Sequence, residues 1–503
     1  MISIKSISIE NFKSFGPRQK LPIKSGGVNF LFGPNSQGKS SCLLALGIIH
    51  EGLKKQNFNL DRISHADNSP DILIDSNLAN YNRPEDPFCL SYEQEISFLD
   101  STDSEKQSLY AYGLLEDTNE EKKYNLEISF HLSGLKDNQL EKFEFNEIKD
   151  GEKKILLKLK GETLVVNYDS DIFKYLTEGY LESLKARNEI LERDNISGVH
   201  EFKKAFRIPG YLFLTDMVED PESQVELDGR TQNMMKHSDV KKIKLINSFL
   251  EQWFRSDRDY KFDWIGANRY NPQKNYIVDQ EKGIVDERFL AKEYVDELNR
   301  FLRNSEHIDI GYELVVNKQE KEESFTGNKA YKWGVKPVDN ETKILNLSDI
   351  GSGISHIFQI LLPLSVVDIN RYGNIQVADE ERVVIIQQPE IHLHPSLQIQ
   401  LAKACFELSK KNNITLIIET HSEHFIKAAQ LEVAKSNNLK DAILTKDRLA
   451  VLYVSKDQNG YSNIKEIEVD ETGSFTEPWP DDFFELSADL GLERLRSSLK
   501  SRN

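Results

Sequence analysis

The segment Gly33-Pro34-Asn35-Ser36-Gln37-Gly38-Lys39-Ser40 is a glycine-rich loop that ends in a lysine and a serine. An apolar run typical of a buried strand precedes it at residues 27–32, and a run with a broad apolar helical face follows at residues 41–49. In this order the loop N–H groups and the helix N-terminus point at a bound phosphate. The pattern predicts that Lys39 contacts the β and γ phosphates of a nucleotide and that Ser40 binds Mg²⁺. A purely structural loop is the alternative, which this context disfavours.

The composition is that of a soluble globular protein. Of the 503 residues, 39% are hydrophobic and 29% are charged, and no apolar run reaches the roughly 18 residues of a membrane span. The length predicts two or three structural units. The N-terminus has no signal-peptide pattern, so we expect a cytoplasmic protein without membrane contact. The cysteines lie far apart and are expected to be reduced core thiols: Cys42, Cys89 and Cys405.

The net charge of −18 repels a phosphate backbone over the chain as a whole. Nucleic-acid binding would therefore need a local basic patch or a partner. The run Lys241-Lys242-Ile243-Lys244 is a candidate patch, although such a run is more often the solvated face of a helix.

Residues 101–340 differ from both ends of the chain, because charge-rich segments separate candidate strands and helices. Apolar residues recur at helical spacing in residues 245–253 and 289–302, which predicts two amphipathic helices. Neither run sustains the heptads of a long coiled coil. We therefore expect a compact helical lobe or a short hairpin here.

The region after residue 340 again shows strand and helix patterns. Ser348-Asp349-Ile350-Gly351-Ser352-Gly353 precedes a helix-like run at residues 354–367, and alone it is an ordinary cap and turn. A buried-strand pattern then ends in Gln387-Gln388-Pro389-Glu390-Ile391-His392-Leu393-His394-Pro395. A second strand pattern, residues 414–418, ends in Glu419-Thr420-His421-Ser422.

The order of these four motifs is similar to that of ABC-type ATPases and resembles the heads of the RecF, SMC and OLD families. Trp479-Pro480-Asp481-Asp482-Phe483-Phe484 is similar to the C-terminal element of a group of stand-alone bacterial ATPases. The resemblance implies an α/β fold: an ABC-type P-loop NTPase head, with a mixed sheet and flanking helices, split by a large α-rich insert. The expected divisions are residues 1–100 and 341–440 for the head, 101–340 for an insert with β elements and a helical lobe, and 441–503 for a hairpin and tail.

The resemblance also implies ATP and Mg²⁺ as cofactors, held in a head-to-tail homodimer or higher homo-oligomer. The loop of one subunit would face the Ser348 motif of another, and His421 would be the switch histidine that senses the γ phosphate. The alternative role for His421 is that of an N-terminal cap for the next helix, although Thr420 or Ser422 could cap that helix instead. The turn at His392 and His394 would cross the dimer interface. The implied nucleotide-binding residues are Gly33, Pro34, Asn35, Ser36, Gln37, Gly38, Lys39, Ser40, Ser41, Ser348, Gly351, Ser352 and Gly353.

Gln387 and Gln388 depart from the pattern, because the resembling families carry at least one carboxylate there. At Gln387 the carboxylate normally holds a magnesium-bound water, so its amide would be a weak magnesium ligand. At Gln388 it normally polarises the attacking water. Glu390 is the remaining candidate general base, and slow hydrolysis by a nucleotide-gated scaffold is the other reading. The amide at position 387 is either natural or an engineered substitution that traps the ATP-bound dimer.

Two function classes follow from the resemblance. The first is a regulatory ATPase of anti-phage defence that controls a separate effector, an HNH-type or Toprim-type nuclease. The second is a RecF-like or SMC-like DNA-binding ATPase of repair or maintenance, which the negative charge disfavours. The acidic segment from Trp479 to Glu485 could pack against the fold or dock a partner, and a packing role is favoured.

Overall fold

The computed structural model describes residues 2–54, 78–80, 82–99, 121–133, 140–160, 163–170, 172–173, 199–203, 261–267, 276–277, 292–318, 330–339, 343–365, 382–436 and 442–479. The elements in chain order are β1 (Ile2–Glu10), β2 (Gln19–Pro22), β3 (Val28–Phe32), α1 (Lys39–Lys54), β4 (Phe88–Leu99), β5 (Glu121–Leu132), β6 (Leu140–Lys149), β7 (Glu152–Lys160), β8 (Thr163–Asn167), β9 (Val199–Lys203), β10 (Lys261–Ile265), β11 (Tyr276–Ile277), α2 (Lys292–Asn304), β12 (Tyr312–Lys318), β13 (Ala330–Pro337), β14 (Leu345–Asn346), α3 (Ser352–Ser365), β15 (Arg382–Gln387), α4 (Pro395–Lys411), β16 (Ile414–Glu419), α5 (Glu423–Ser436), β17 (Leu449–Lys456) and β18 (Ser462–Glu466).

The chain folds into two compact units. The antiparallel unit comprises Met1–Leu21, Ser41–Ala66 and Ile72–Tyr260, and the parallel unit comprises Pro22–Ser40, Asp67–Asp71 and Lys261–Asn503. Each is named for its main sheet.

The sheet of the antiparallel unit has the strand order β2-β1-β4-β5-β6-β7-β8-β9. Apolar residues alternate along β5, so that Leu126, Ile128 and Phe130 share one buried face. Asp150 and Gly151 join β6 to β7 with φ angles of 53° and 81°, a conformation suited to a two-residue hairpin turn. These strands form because the period-two pattern overrides their high content of lysine and glutamate.

The sheet of the parallel unit has the strand order β10-β15-β16-β3-β17-β18. The first five strands are parallel, and β18 is antiparallel to β17. β15 and β16 are apolar along almost their whole length, as expected for strands covered on both faces, and the core extends from them to α3, α4 and α5. All five parallel strands end at one edge, which is where ligands bind in open α/β sheets.

The predicted α/β class, with a mixed sheet and flanking helices, is confirmed. The predicted helix at residues 289–302 is observed as α2, whereas the one at residues 245–253 lies outside the described residues. The described part of residues 101–340 consists mainly of strands, which differs from the α-rich insert that we expected. The three cysteines are buried thiols, as predicted. Within the described ranges, the helices are too short or too polar to cross a membrane.

Candidate nucleotide-binding site

The glycine-rich loop lies between β3 and α1, at the carboxyl edge of the parallel sheet. Its φ angle is +139° at Gly33, 60° at Ser36 and 112° at Gly38. Gly33 has the least room, since a Cβ there would lie 2.2 Å from the carbonyl oxygen of Val454. The tip at residues 34–36 is exposed. The loop therefore presents its backbone to solvent at the start of a 16-residue helix, a favourable site for an anion.

Lys39 and Ser40 start this helix and face different partners. Lys39 is 4% exposed, and its ammonium group donates to the carbonyl oxygens of Gly33, at 2.9 Å, and Pro34, at 2.7 Å. The Ser40 hydroxyl donates to Glu419 Oε1 at 2.8 Å. The two groups predicted to hold phosphate and Mg²⁺ thus lie together at the C-terminal end of the loop.

Gln37 ties the loop to the neighbouring hairpin of β17 and β18. The backbone N–H of Lys456 donates to Gln37 Oε1 at 2.8 Å, and the hydroxyl of Ser462 donates to the Gln37 carbonyl oxygen. This predicted nucleotide-binding residue holds the loop in place through its side chain and its carbonyl group. The remaining predicted loop residues lie beside it: Asn35 is at the exposed tip, and Ser41 is in the first turn of α1.

Glu419 is the buried carboxylate of the site. It ends β16, which lies between β3 and β15, and it is level with Leu31 on one side and Gln387 on the other. Glu419 is buried, with 4% of its surface exposed. Glu419 Oε1 accepts from Ser40, and Glu419 Oε2 accepts from the amide nitrogen of Gln387 at 2.8 Å.

Gln387 is held on its other side by β10. Trp264 Nε1 donates to Gln387 Oε1 at 3.1 Å. An amide suits this position because it accepts from the indole and donates to the carboxylate. Ser40, Glu419, Gln387 and Trp264 therefore form one hydrogen-bonded row across the ends of β16, β15 and β10.

The segment after β16 is fixed by Glu390. Its Oε2 accepts from the hydroxyl of Thr420, and its Oε1 accepts from the backbone N–H of His421, both at 2.8 Å. The backbone N–H of Gln388, which has a φ of 45°, donates to the Glu419 carbonyl oxygen at 2.7 Å. Glu390 and Gln388 thus hold the segment that carries the predicted switch histidine.

His421 is half-buried, and its pKa is lowered. Burial is the main cause, and the positive charge of Lys39 adds to it, while Glu419 acts in the opposite direction. The imidazole is therefore neutral near pH 7 and can accept or donate a hydrogen bond through either ring nitrogen.

The Ser348 motif forms a short 3-10 turn, Leu347–Asp349, followed by the N-terminus of α3. Gly351 and Ser352 are exposed. Gly353 lies against the turn after β15, since a Cβ there would be 2.8 Å from the carbonyl oxygen of His392. The exposed helix N-terminus and this turn are therefore neighbours on the parallel unit.

The turn after β15 ends at the cap of α4. His392 has a φ of 63°. His394 caps the helix, because its Nδ1 accepts from the backbone N–H of Ser396 at 3.3 Å, and Pro395 starts it as predicted. The ring centroid of His392 lies 5.3 Å from that of His356 on α3.

Trp479 packs against β3, the strand that precedes the glycine-rich loop. Its ring centroid lies 5.1 Å from that of Phe32, 5.7 Å from that of Tyr453 and 4.9 Å from that of Phe475. Trp479 itself lies in the core, whereas the rest of the segment for which a packing role was favoured stays a prediction. Pro480 to Phe484 lie outside the described residues.

The oxygen atoms of Ser40 and Glu419 fit Mg²⁺. Neighbouring ligands of an octahedral ion with bonds of about 2.1 Å lie about 3.0 Å apart, and these two atoms are separated by 2.8 Å. Mg²⁺ usually takes one or two protein ligands and completes its shell with water and phosphate.

The sequence located the loop, the amides and the histidine, and the structure places Gly33 to Ser40, Gln387, Gln388, Glu390 and His421 at one edge of the sheet. The side chain of Ser348 is not among those described. Glu419 was missed as a site residue, although its motif was recognised. A carboxylate at the end of an otherwise apolar strand was the signal that would have found it.

Residues 2–426 match the family described as AAA ATPase domain. A comparison with curated proteins gives no match. Among solved structures, the chain is similar to an SMC head bound to the C-winged helix domain of ScpA, with 10% identity, a TM-score of 0.38 and coverage of 92% of this chain and 98% of that one.

A second similar structure is an SMC head with an extended coiled coil bound to the C-terminal domain of ScpA, from Pyrococcus furiosus, with 13% identity, a TM-score of 0.37 and coverage of 99% and 100%. A third is the SMC head domain from Thermotoga maritima, with 13% identity, a TM-score of 0.36 and coverage of 93% and 99%. The family match spans most of the 503 residues and includes the loop, both site strands and His421. The chain belongs to the AAA ATPase domain family.

Proposed function

We propose that the chain is a nucleotide-gated switch, which binds ATP with Mg²⁺, pairs with a second copy around the nucleotide and controls a separate effector. The row from Ser40 through Glu419 to Gln387 is the observation that carries the proposal. It joins the loop to the strand on which hydrolysis normally depends, and it has an amide where a carboxylate is expected. Binding is thereby retained and hydrolysis is weakened.

The hydrogen bonds of Glu390 support this view of hydrolysis. Both of its oxygens accept from the segment that carries His421. In the proposal, Glu390 is a positioning residue for His421, and its role as general base becomes secondary. Turnover is then expected to be slow beside nucleotide binding.

The exposed motif on α3 supports pairing around ATP. Gly351 and Ser352 lie at the N-terminus of a 14-residue helix and are open to solvent. Backbone N–H groups at such a terminus bind anions. The γ phosphate held by one copy would meet this terminus on the other, so ATP would drive dimerisation.

Light scattering coupled to size-exclusion chromatography tests the switch. The wild type should form dimers with ATP and Mg²⁺ and be smaller without nucleotide. Lys39→Ala, which removes the loop ammonium, should stay in the small form under both conditions. Lys427→Ala, which removes an exposed lysine paired with Glu423 on α5, is the matched control and should dimerise like the wild type. ATP binding without any change of mass would reject the gated-dimer proposal.

The effector and its setting are the finer part of the proposal. The motif order and the Trp479 element support anti-phage defence with an HNH-type or Toprim-type nuclease as partner. Co-purification with the product of a neighbouring gene, and its dependence on ATP, tests this. A salt-dependent mobility shift of DNA by the isolated chain would instead favour the DNA-binding alternative.

A further inference from the structure

Glu419 contacts Ser40 on one side and Gln387 on the other, and it was not among the predicted site residues. We propose that Glu419 supplies the carboxylate for the magnesium–nucleotide complex that β15 lacks. The inference rests on the proposed nucleotide binding and names the residue that makes this binding depend on the metal. In this role the carboxylate lies one strand closer to the loop than one on β15 would.

The strand order makes this transfer possible. β16 lies between β3 and β15, so its last residue is adjacent to the ends of both strands. Glu419 is level with Gln387 in one pairing and with Leu31 in the other. A carboxylate here is closer in the sheet to the loop than one at Gln387 would be.

The contacts of the two oxygens point in the same direction. Oε1 lies 2.8 Å from the Ser40 hydroxyl, the spacing of neighbouring ligands on Mg²⁺. Oε2 accepts from the Gln387 amide, which Trp264 orients from the far side. The amide therefore positions the carboxylate. With Mg²⁺ bound, the Ser40 hydroxyl would keep its proton but turn it away from Glu419, so that both oxygen atoms could face the cation.

The other charged groups nearby have partners of their own, which leaves Glu419 as the candidate ligand for Mg²⁺. Lys39 is bound to loop carbonyl groups. Glu390 is engaged by Thr420 and by the His421 backbone. Of the acids described at this edge, Glu419 is the one in contact with Ser40.

The test measures how strongly Mg²⁺ increases the affinity for a fluorescent ATP analogue, titrated with excess MgCl₂ and again with EDTA. Glu419→Gln should reduce the increase about 10- to 100-fold, the range found when groups supporting a metal site are lost. Affinity in EDTA should change little, because Lys39 and the loop backbone are intact. Binding of Mn²⁺ with nucleotide, counted by electron paramagnetic resonance, should fall in parallel.

Two further variants make the result specific. The exchange variant Glu419→Gln with Gln387→Glu restores one carboxylate on the neighbouring strand and should recover part of the metal dependence. Glu423→Gln, four residues farther on in α5, is the matched control and should keep it in full. Thermal unfolding checks that each variant is folded.

The outcomes separate this inference from the proposed function. If the wild type binds no nucleotide, the proposed function fails. If the wild type binds with a clear metal dependence and folded Glu419→Gln keeps that dependence, the role of Glu419 is overturned while nucleotide binding stands.

Discussion

Replacing Gln387 by glutamate places a second carboxylate against Glu419. The Gln387 amide nitrogen lies 2.8 Å from Glu419 Oε2, and two negative charges at that distance repel by about 6 kcal/mol at an effective dielectric constant of about 20. The pair can avoid this repulsion by keeping one proton. For a carboxyl group with an unfolded pKa of about 4.3, that costs about 4 kcal/mol at about pH 7.5. Gln387→Glu should therefore lower the free energy of unfolding by up to this amount in EDTA.

The sign of the pH dependence follows from the same proton. The folded variant holds a proton that the unfolded chain releases, so the loss of stability shrinks as the pH falls towards about 4.3. At about pH 5.5 the loss should be at most about 2 kcal/mol. Mg²⁺ should also reduce it, because two adjacent carboxylates can share the cation.

Chemical denaturation of wild type and variant measures these quantities at both pH values, with EDTA and with MgCl₂. Gln400→Glu is the control, since it adds the same charge on α4, where the side chain accepts from the Asp309 backbone. It should show neither the pH effect nor the rescue. A loss of stability in Gln387→Glu that changes with neither pH nor Mg²⁺ would refute the electrostatic reasoning.

Three other substitutions probe the surroundings of the site. His421 has a lowered pKa, so the unfolded chain takes up a proton before the folded one does and stability falls below about pH 6.5; His421→Gln should flatten this fall in thermal unfolding curves. Glu390→Ala leaves two donors unpaired and should cost about 1–3 kcal/mol in denaturant unfolding, with less loss in Glu390→Gln. Trp479→Ala should cost about 3–5 kcal/mol, and a loss near zero would show that its contacts with Phe32 and Tyr453 contribute little.

The loop and its strand were predictable because the signal is local. Glycines, Lys39 and Ser40 stand in consecutive positions, and the apolar runs beside them have the period and length of the elements observed. The strands that end at Gln387 and Glu419 were predictable for the same reason. The role of the residue at each strand end was harder to predict, because it depends on neighbours that are distant in sequence.

Two features show this limit. Glu419 meets Ser40 and Gln387 only because β16 lies between β3 and β15, and the register sets the three side by side. In the middle region, β5 has an apolar residue at every second position, but its glutamate and lysine content hid the pattern. Side-chain period decides a strand where one face is buried, and composition does not.

The position of the carboxylate also bears on how the switch would work. Glu419 and His421 are separated by Thr420 alone, and Glu390 binds both Thr420 and the His421 backbone. A cation drawn to Glu419 would therefore act on the same short segment that carries the proposed γ-phosphate sensor. With a carboxylate on β15, the metal and the sensor would be on different strands. Because both groups lie on one segment here, the proposed metal binding and phosphate sensing would be coupled through the backbone without requiring hydrolysis.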